Sequence, residues 1–164
     1  MMNYRSFLIN FDKKLEKYFN EYNNYVFCHK GCSSCCEKGD YPVSQIELEY
    51  LMQGYSTLDD KIKQEVQSNF KNIKKGEKCP FLIDKLCSVY NFRPIVCRVH
   101  GLCYRGINTI ILPYCTNTGK NFSSVYKNGH ISIEPIEENF DTPNVLKNFN
   151  FGEIRTLYDW IKIK

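Results

Sequence analysis

Alanine is absent from the 164 residues, tryptophan occurs once, and arginine occurs only five times against seventeen lysines. The missing alanine, set beside abundant Asn, Lys, Ile and Tyr, is a compositional bias with no physical device behind it. No apolar run approaches the roughly eighteen residues of a transmembrane helix, so no membrane partner is expected. The opening Met1-Met2-Asn3-Tyr4-Arg5 lacks the apolar stretch of a secretory signal, and a cytoplasmic location is expected. A dominant charge is missing too. The 22 basic and 18 acidic residues leave a net +4, too balanced to argue for nucleic acid. Catalytic signatures are equally scarce: there is no Ser-His-Asp spacing, no glycine-rich phosphate loop and no HExxH. The acidic residues are scattered over helix faces, where solvation explains them.

What remains suits one ordinary domain, 1–164, of 19.3 kDa, with 43% hydrophobic and 24% charged residues. The fold class expected is α-rich α+β, with short β-hairpins and irregular cysteine-rich loops organised around metal. Residues 3–26 read as an amphipathic helix, because Tyr4, Phe7, Leu8, Phe11, Leu15, Phe19, Tyr22 and Val26 recur at three- or four-residue steps. A cysteine-rich core, 28–115, follows. Within it, Ser44-Gln45-Ile46-Glu47 fits a capping box opening a second helix, with Gly54 as its stop. A third helix runs from about Leu58 to Lys75, with Gly76 ending it. Residues 79–90 look like a hairpin turning at Asp84-Lys85, and Pro94 opens a short helix closed by Gly101. Asn108 to Tyr114 is β-prone. The C-terminal part, 124–164, holds a hairpin turn at Lys127-Asn128-Gly129-His130, a loop or short helix over 141–150, and a closing helix from Gly152 to Lys164. That helix is expected to turn Ile154, Leu157, Trp160 and Ile161 inward.

Nine cysteines speak directly about function. Cys28, Cys32, Cys35 and Cys36 share one loop, Cys79 and Cys87 flank the hairpin, and Cys97, Cys103 and Cys115 follow. Ordinary burial accounts for one or two cysteines but poorly for nine. A disulfide framework needs an oxidising compartment, and an odd count strands one thiol. Metal fits a reducing cytosol: thiolates are soft donors for zinc or iron–sulfur iron, and an ion replaces the core such a loop cannot build. A zinc ribbon would show two CxxC knuckles, and only Cys32-x-x-Cys35 has that form. Successive side chains tend to point apart, so adjacent Cys35 and Cys36 suit different metals, or different irons of one cluster, better than one small ion. Iron–sulfur is therefore favoured over zinc.

The residues then match a family. Cys-x-x-x-Cys-x-x-Cys-Cys, Pro42-Val43-Ser44 with its acidic helix, Cys79-Pro80-Phe81-Leu82, Cys87-Ser88-Val89-Tyr90, Arg93-Pro94 and Cys97-Arg98 together resemble the YkgJ-type cysteine-cluster family, described as zinc- or iron-chelating. The resemblance runs from Cys28 to Cys115. It implies eight metal ligands: Cys28, Cys32, Cys35, Cys36, Cys79, Cys87, Cys97 and Cys115. They suffice for two four-cysteine sites, or for one cluster and a spare set. Cys103 is left over and is expected to pack as a small hydrophobe. The segment 116–120 departs from the pattern of that branch, which makes Cys115 the least secure of the eight. Three of the five arginines, Arg93, Arg98 and Arg105, fall within thirteen residues among the cysteines. Four thiolates around Zn²⁺ carry about minus two by formal count, and Arg93 and Arg98 are placed to offset it. Salt bridges to Glu37, Asp40 or Glu47 are the competing role. Tyr90 is expected to pack beside the site. His29 and His100 are expected to donate hydrogen bonds around it, and His130 to be solvated.

The first functional reading is a cytosolic protein holding an iron–sulfur cluster or Zn²⁺, the metal structural or redox-active. The second is a component of a methyl-transfer-type protein-modifying system, because flagellin lysine methylases carry a similar cysteine module. The spacing of Cys28, Cys32 and Cys35 matches a radical-enzyme motif. The chain is too short for the barrel that motif opens, so the match is coincidental. A Cys97–His100 nucleophilic pair is disfavoured, since a metal-bound thiolate is not a free nucleophile. The third reading is metal storage or delivery. No protein partner is identifiable.

Overall fold

The computed structural model describes residues 2–29 and 31–163. In chain order the elements are helix α1 (Met2–Glu21), strand β1 (Pro42–Ser44), helices α2 (Gln45–Ser56) and α3 (Asp60–Asn72), and strands β2 (Leu82–Ile83) and β3 (Leu86–Cys87). A 3-10 turn at Tyr90–Phe92, helix α4 (Ile95–Val99), strands β4 (Tyr104–Arg105) and β5 (Ile110–Ile111), and a 3-10 helix at Tyr114–Thr118 follow. Strands β6 (Tyr126–Lys127) and β7 (His130–Ile131), helix α5 (Thr142–Val145), strand β8 (Ile154–Thr156) and helix α6 (Leu157–Lys162) complete the chain. The secondary structure is therefore α+β, with helices and short antiparallel strand pairs. Among the described residues, no helix is long and apolar enough to cross a membrane.

The chain divides into two compact units, each built from separated segments. The first comprises 1–28 and 97–145, the second 29–96 and 146–164. In the first unit α1 supplies the expected stripe, with Tyr4, Leu8, Phe11 and Leu15 buried. Phe140 is the aromatic centre of this unit, meeting Phe11, Tyr18 and Tyr104 edge-on at 5.3–6.0 Å. The helix stops at Glu21, five residues short of the expected end. Asn20, Asn23 and Asn24 cluster there, and asparagine side chains compete for the local backbone; Asn23 N–H already bonds the carbonyl of Asn20 in a tighter turn.

In the second unit, Val43, Leu51, Val66, Phe81, Ile83, Val89 and Leu157 form the core. The reach-back half of the capping box is present: the Glu47 carboxylate accepts the Ser44 N–H at 2.8 Å. Gly54 is not the stop of α2. The helix runs on to Ser56, and Gly54 is buried against Phe92, whose ring a Cβ would meet at 2.5 Å. Helix α3 is shorter than expected at both ends, with Asp59 capping the Ile62 N–H at 2.9 Å. The hairpin β2–β3 turns at Asp84 and Lys85, both at positive φ, as expected. The closing helix is corrected more deeply. Its first half is strand β8, paired antiparallel with β1 through Pro42↔Thr156, Val43↔Arg155 and Ser44↔Ile154. Only from Leu157 does it become helical, capped by the Thr156 hydroxyl on the Asp159 N–H. Lys164, its expected last residue, lies outside the described residues.

Candidate metal centre

Among the described residues between His29 and Tyr41, the cysteine loop of the second unit has no helix or strand. It is held by single turns: Cys32 N–H to the His29 carbonyl (3.0 Å), and Cys36 and Glu37 N–H to the Ser33 carbonyl (2.8 and 3.1 Å). The Ser33 turn corrects the expectation for adjacent cysteines. It curls the chain so that the sulfurs of Cys35 and Cys36 lie 4.0 Å apart rather than diverging. Two sulfurs on one tetrahedral ion, each about 2.3 Å from it, stand about 3.8 Å from one another.

Two more cysteines are delivered to this loop. Cys79 donates its backbone N–H to the carbonyl of Cys36 at 2.7 Å, which ties the segment before β2 to the loop. Cys87 sits on β3 opposite Leu82. Cys35 is in electrostatic range of both the Cys79 and the Cys87 sulfur. Hydrogen bonding from Cys36 pulls the Cys35 thiol down to about 7, aided by its backbone amides and Arg93, and opposed by burial. Burial pushes Cys79 up to about 12 and raises Cys87 as well. The Cys35 thiolate is thus favoured, whereas burial disfavours the thiolates of Cys79 and Cys87. A thiolate-binding ion reverses that balance, so the donor set fits zinc or iron. Among the described residues, no three Cys, His, Asp or Glu side chains are grouped closely enough to hold a metal ion.

Arg93 faces this sulfur group. Its Nε donates to the Tyr90 carbonyl at 2.8 Å, its guanidinium lies 3.5 Å from the Tyr90 ring centre, and its charge lowers both Cys35 and Cys87. The stacking explains why arginine stands here in a lysine-rich chain, because only a planar cation packs this way. Arg98 belongs to the first unit, where its buried guanidinium pairs with Asp12 at 2.5 Å. Asp12 is not among the salt-bridge partners expected for these arginines, Glu37, Asp40 and Glu47. Glu47 is fully buried and accepts from the Ser44 N–H, the Ser44 hydroxyl and the Ile95 N–H at 2.7–2.8 Å.

The remaining cysteines are placed differently. Cys32 shares the loop of the second unit, with its sulfur 3.9 Å from the Ser34 hydroxyl. Cys28, Cys97, Cys103 and Cys115 fall in the first unit. Cys103 is fully buried, as expected of a small hydrophobe, and burial raises its thiol to about 11. Cys115 is buried in the 3-10 helix, and Cys97 is half-buried on α4. Cys28 is exposed as a residue, but its sulfur accepts from the buried amide of Asn121 at 2.9 Å. No motif pointed to Asn121, ninety-three residues away. His29 is exposed, His100 is half-buried with its pKa lowered by burial, and His130 is an exposed turn residue whose Nδ1 lies 2.9 Å from the Asn128 carbonyl.

Residues 27–117 match the family model described as "CxxCxxCC: Putative zinc- or iron-chelating domain". The chain belongs to this family. No curated protein and no solved structure is similar enough to count as a match. The CxxCxxCC stretch covers every cysteine of the chain, from Cys28 to Cys115. It also takes in both arginines, Arg93 and Arg98, named above.

Proposed function

We propose that this chain is a thiolate metalloprotein in which Cys35, Cys36, Cys79 and Cys87 form one centre in the second unit, with Arg93 balancing its charge. The observation that carries the reading is the Cys35–Cys36 sulfur pair, 4.0 Å apart, with the Cys79 segment fastened beside it by the Cys79–Cys36 backbone bond. The thiolates of Cys28, Cys97 and Cys115 in the first unit, and of Cys32 on the loop, are the remaining ligands that the family pattern implies. Such a centre supplies cross-links that the irregular segments cannot make from apolar contacts, and a redox couple if the metal is iron.

The 4.0 Å separation of the Cys35 and Cys36 sulfurs favours a single tetrahedral ion over the placement of these two ligands on separate irons. Zn²⁺ or one iron therefore fits this centre. The test is anaerobic purification with absorption spectra and iron, zinc and acid-labile sulfide measured on one sample. Wild type, Cys79→Ser and Cys87→Ser are compared. The reading expects one metal ion lost from each variant, with no sulfide assigned to this centre. Full metal content in both variants sinks it. Stoichiometric sulfide that disappears with Cys79 replaces the single ion by a cluster.

A further inference from the structure

Asn121 is 1% exposed and lies four residues beyond the stretch that the family model covers. Its side chain has three partners within the first unit. Oδ1 accepts the Phe27 N–H at 2.9 Å, while Nδ2 donates to the Gly101 carbonyl at 3.1 Å and to the Cys28 sulfur at 2.9 Å. The partners fix which way the amide faces. A backbone N–H only donates and a carbonyl only accepts, so the NH₂ group must face Gly101 and the sulfur.

The other side of the sulfur is equally specific. Gly101 has φ +113°, and a Cβ there would stand 2.6 Å from the Cys28 sulfur and 3.2 Å from Asn121 Nδ2. The sulfur is thus seated against a bare Cα and under a buried amide. The turn that presents Asn121 carries a cost. Phe122 follows it at φ +58°, a region that bulky side chains avoid. Phe122 is nonetheless fully buried, stacked on Tyr25 at 5.9 Å, and its N–H bonds the Tyr25 carbonyl at 2.9 Å. Packing therefore holds a strained residue in order to keep residues 121–122 against residues 25–28.

A buried amide is costly unless its polar atoms are satisfied, and an apolar residue would fill the same space. Here one amide hydrogen is spent on sulfur. Neutral thiol sulfur is a weak acceptor, whereas a thiolate accepts a charge-assisted bond. We propose that Asn121 is a positioning residue for a metal-bound Cys28 thiolate, orienting the sulfur and drawing charge from it. This rests on the reading of Cys28 as a ligand.

The test uses the full chain, freed of metal and titrated with Co²⁺. The thiolate-to-cobalt charge-transfer band is the readout, and circular dichroism checks the fold. Cys28→Ser should lose part of the band's intensity, which establishes Cys28 as a ligand. Asn121→Leu removes the donor and should keep the intensity, shift the band to lower energy and weaken Co²⁺ binding about tenfold. Asn121→Asp keeps the shape and the Phe27 bond but turns a carboxylate oxygen toward the thiolate, and should weaken binding further. A purely structural role predicts that both variants lower the unfolding midpoint of the metal-free protein and leave the band energy of the loaded protein unchanged, and that pattern overturns the proposal. So does an unshifted band in folded variants when Cys28→Ser has its effect. If Cys28→Ser changes nothing, the ligand reading of Cys28 fails and the proposal with it.

Discussion

Glu47 shows how much one side chain can carry in this fold. Its carboxylate is fully buried, and its partners are hydrogen-bond donors: the Ser44 N–H and hydroxyl on Oε2, and the Ile95 N–H on Oε1. These three donors belong to the second unit, so one anion closes the start of α2 and anchors the start of α4. Glutamine preserves the shape but replaces one accepting oxygen by a donor group. At least one of the three donors must then face an N–H instead of an acceptor. A buried donor left unmatched costs about 1–3 kcal/mol, and the bonds lost were charge-assisted. Glu47→Gln should therefore destabilise the metal-loaded protein by about 2–3 kcal/mol in urea unfolding followed by circular dichroism. A change under about 0.5 kcal/mol would show that the carboxylate is not the anchor described.

At the scale of elements, Gly54 separates two kinds of information. Read along the chain, a glycine after an apolar helical run is a stop signal. In the folded second unit it is the place where α2 lets the Phe92 ring approach, while Tyr50 packs on the same ring at 5.0 Å. Alanine is about 1 kcal/mol better than glycine within a helix. At this position its methyl would meet Phe92 carbons at 2.5–2.8 Å, and overpacking of that kind costs about 1–3 kcal/mol. Gly54→Ala should lower stability on its own and raise it in a Phe92→Ala background. The thermal midpoints of the four proteins in that cycle test the claim, and additivity would refute it. The same division governs what could be read in advance. The stripe of α1, the Asp84-Lys85 and Asn128-Gly129 turns and the Glu47 reach-back are local signals, and each was legible. The β1–β8 pairing joins residues more than a hundred positions apart, and neither three-residue strand has a periodic pattern to announce it. At the site, the cysteines were legible as ligand types. The turn at Ser33 that gathers Cys35 with Cys36, and the amide of Asn121 on Cys28, depend on three-dimensional approach and left no mark in the spacing.

At the scale of the whole molecule, each unit has its own apolar centre, one around Phe140 and the other around Val66 and Phe81. The cysteine loop does not share that support. Among the described residues from 29 to 40 the side chains are mostly half-buried or exposed, and the backbone is held by isolated turns. The segment from 73 to 78 is also irregular and largely exposed. If thiolates and metal fasten these segments, metal removal should act locally rather than melt the protein. Stability differs between parts of a structure, and hydrogen exchange reads it segment by segment. On chelation under reducing conditions, exchange should rise over 31–40 and 73–88, while the buried faces of α1 and α2 remain protected. The physical reason is that burial, aided by the neighbouring sulfurs, raises Cys79 and Cys87 and disfavours their thiolates, and thiols cannot replace the cross-links of a bound ion. Readdition of Zn²⁺ should restore protection in wild type but not in Cys79→Ser. Unchanged exchange over 31–40 after complete metal loss would mean that the loop stands on its own turns, and that the metal has no structural role there.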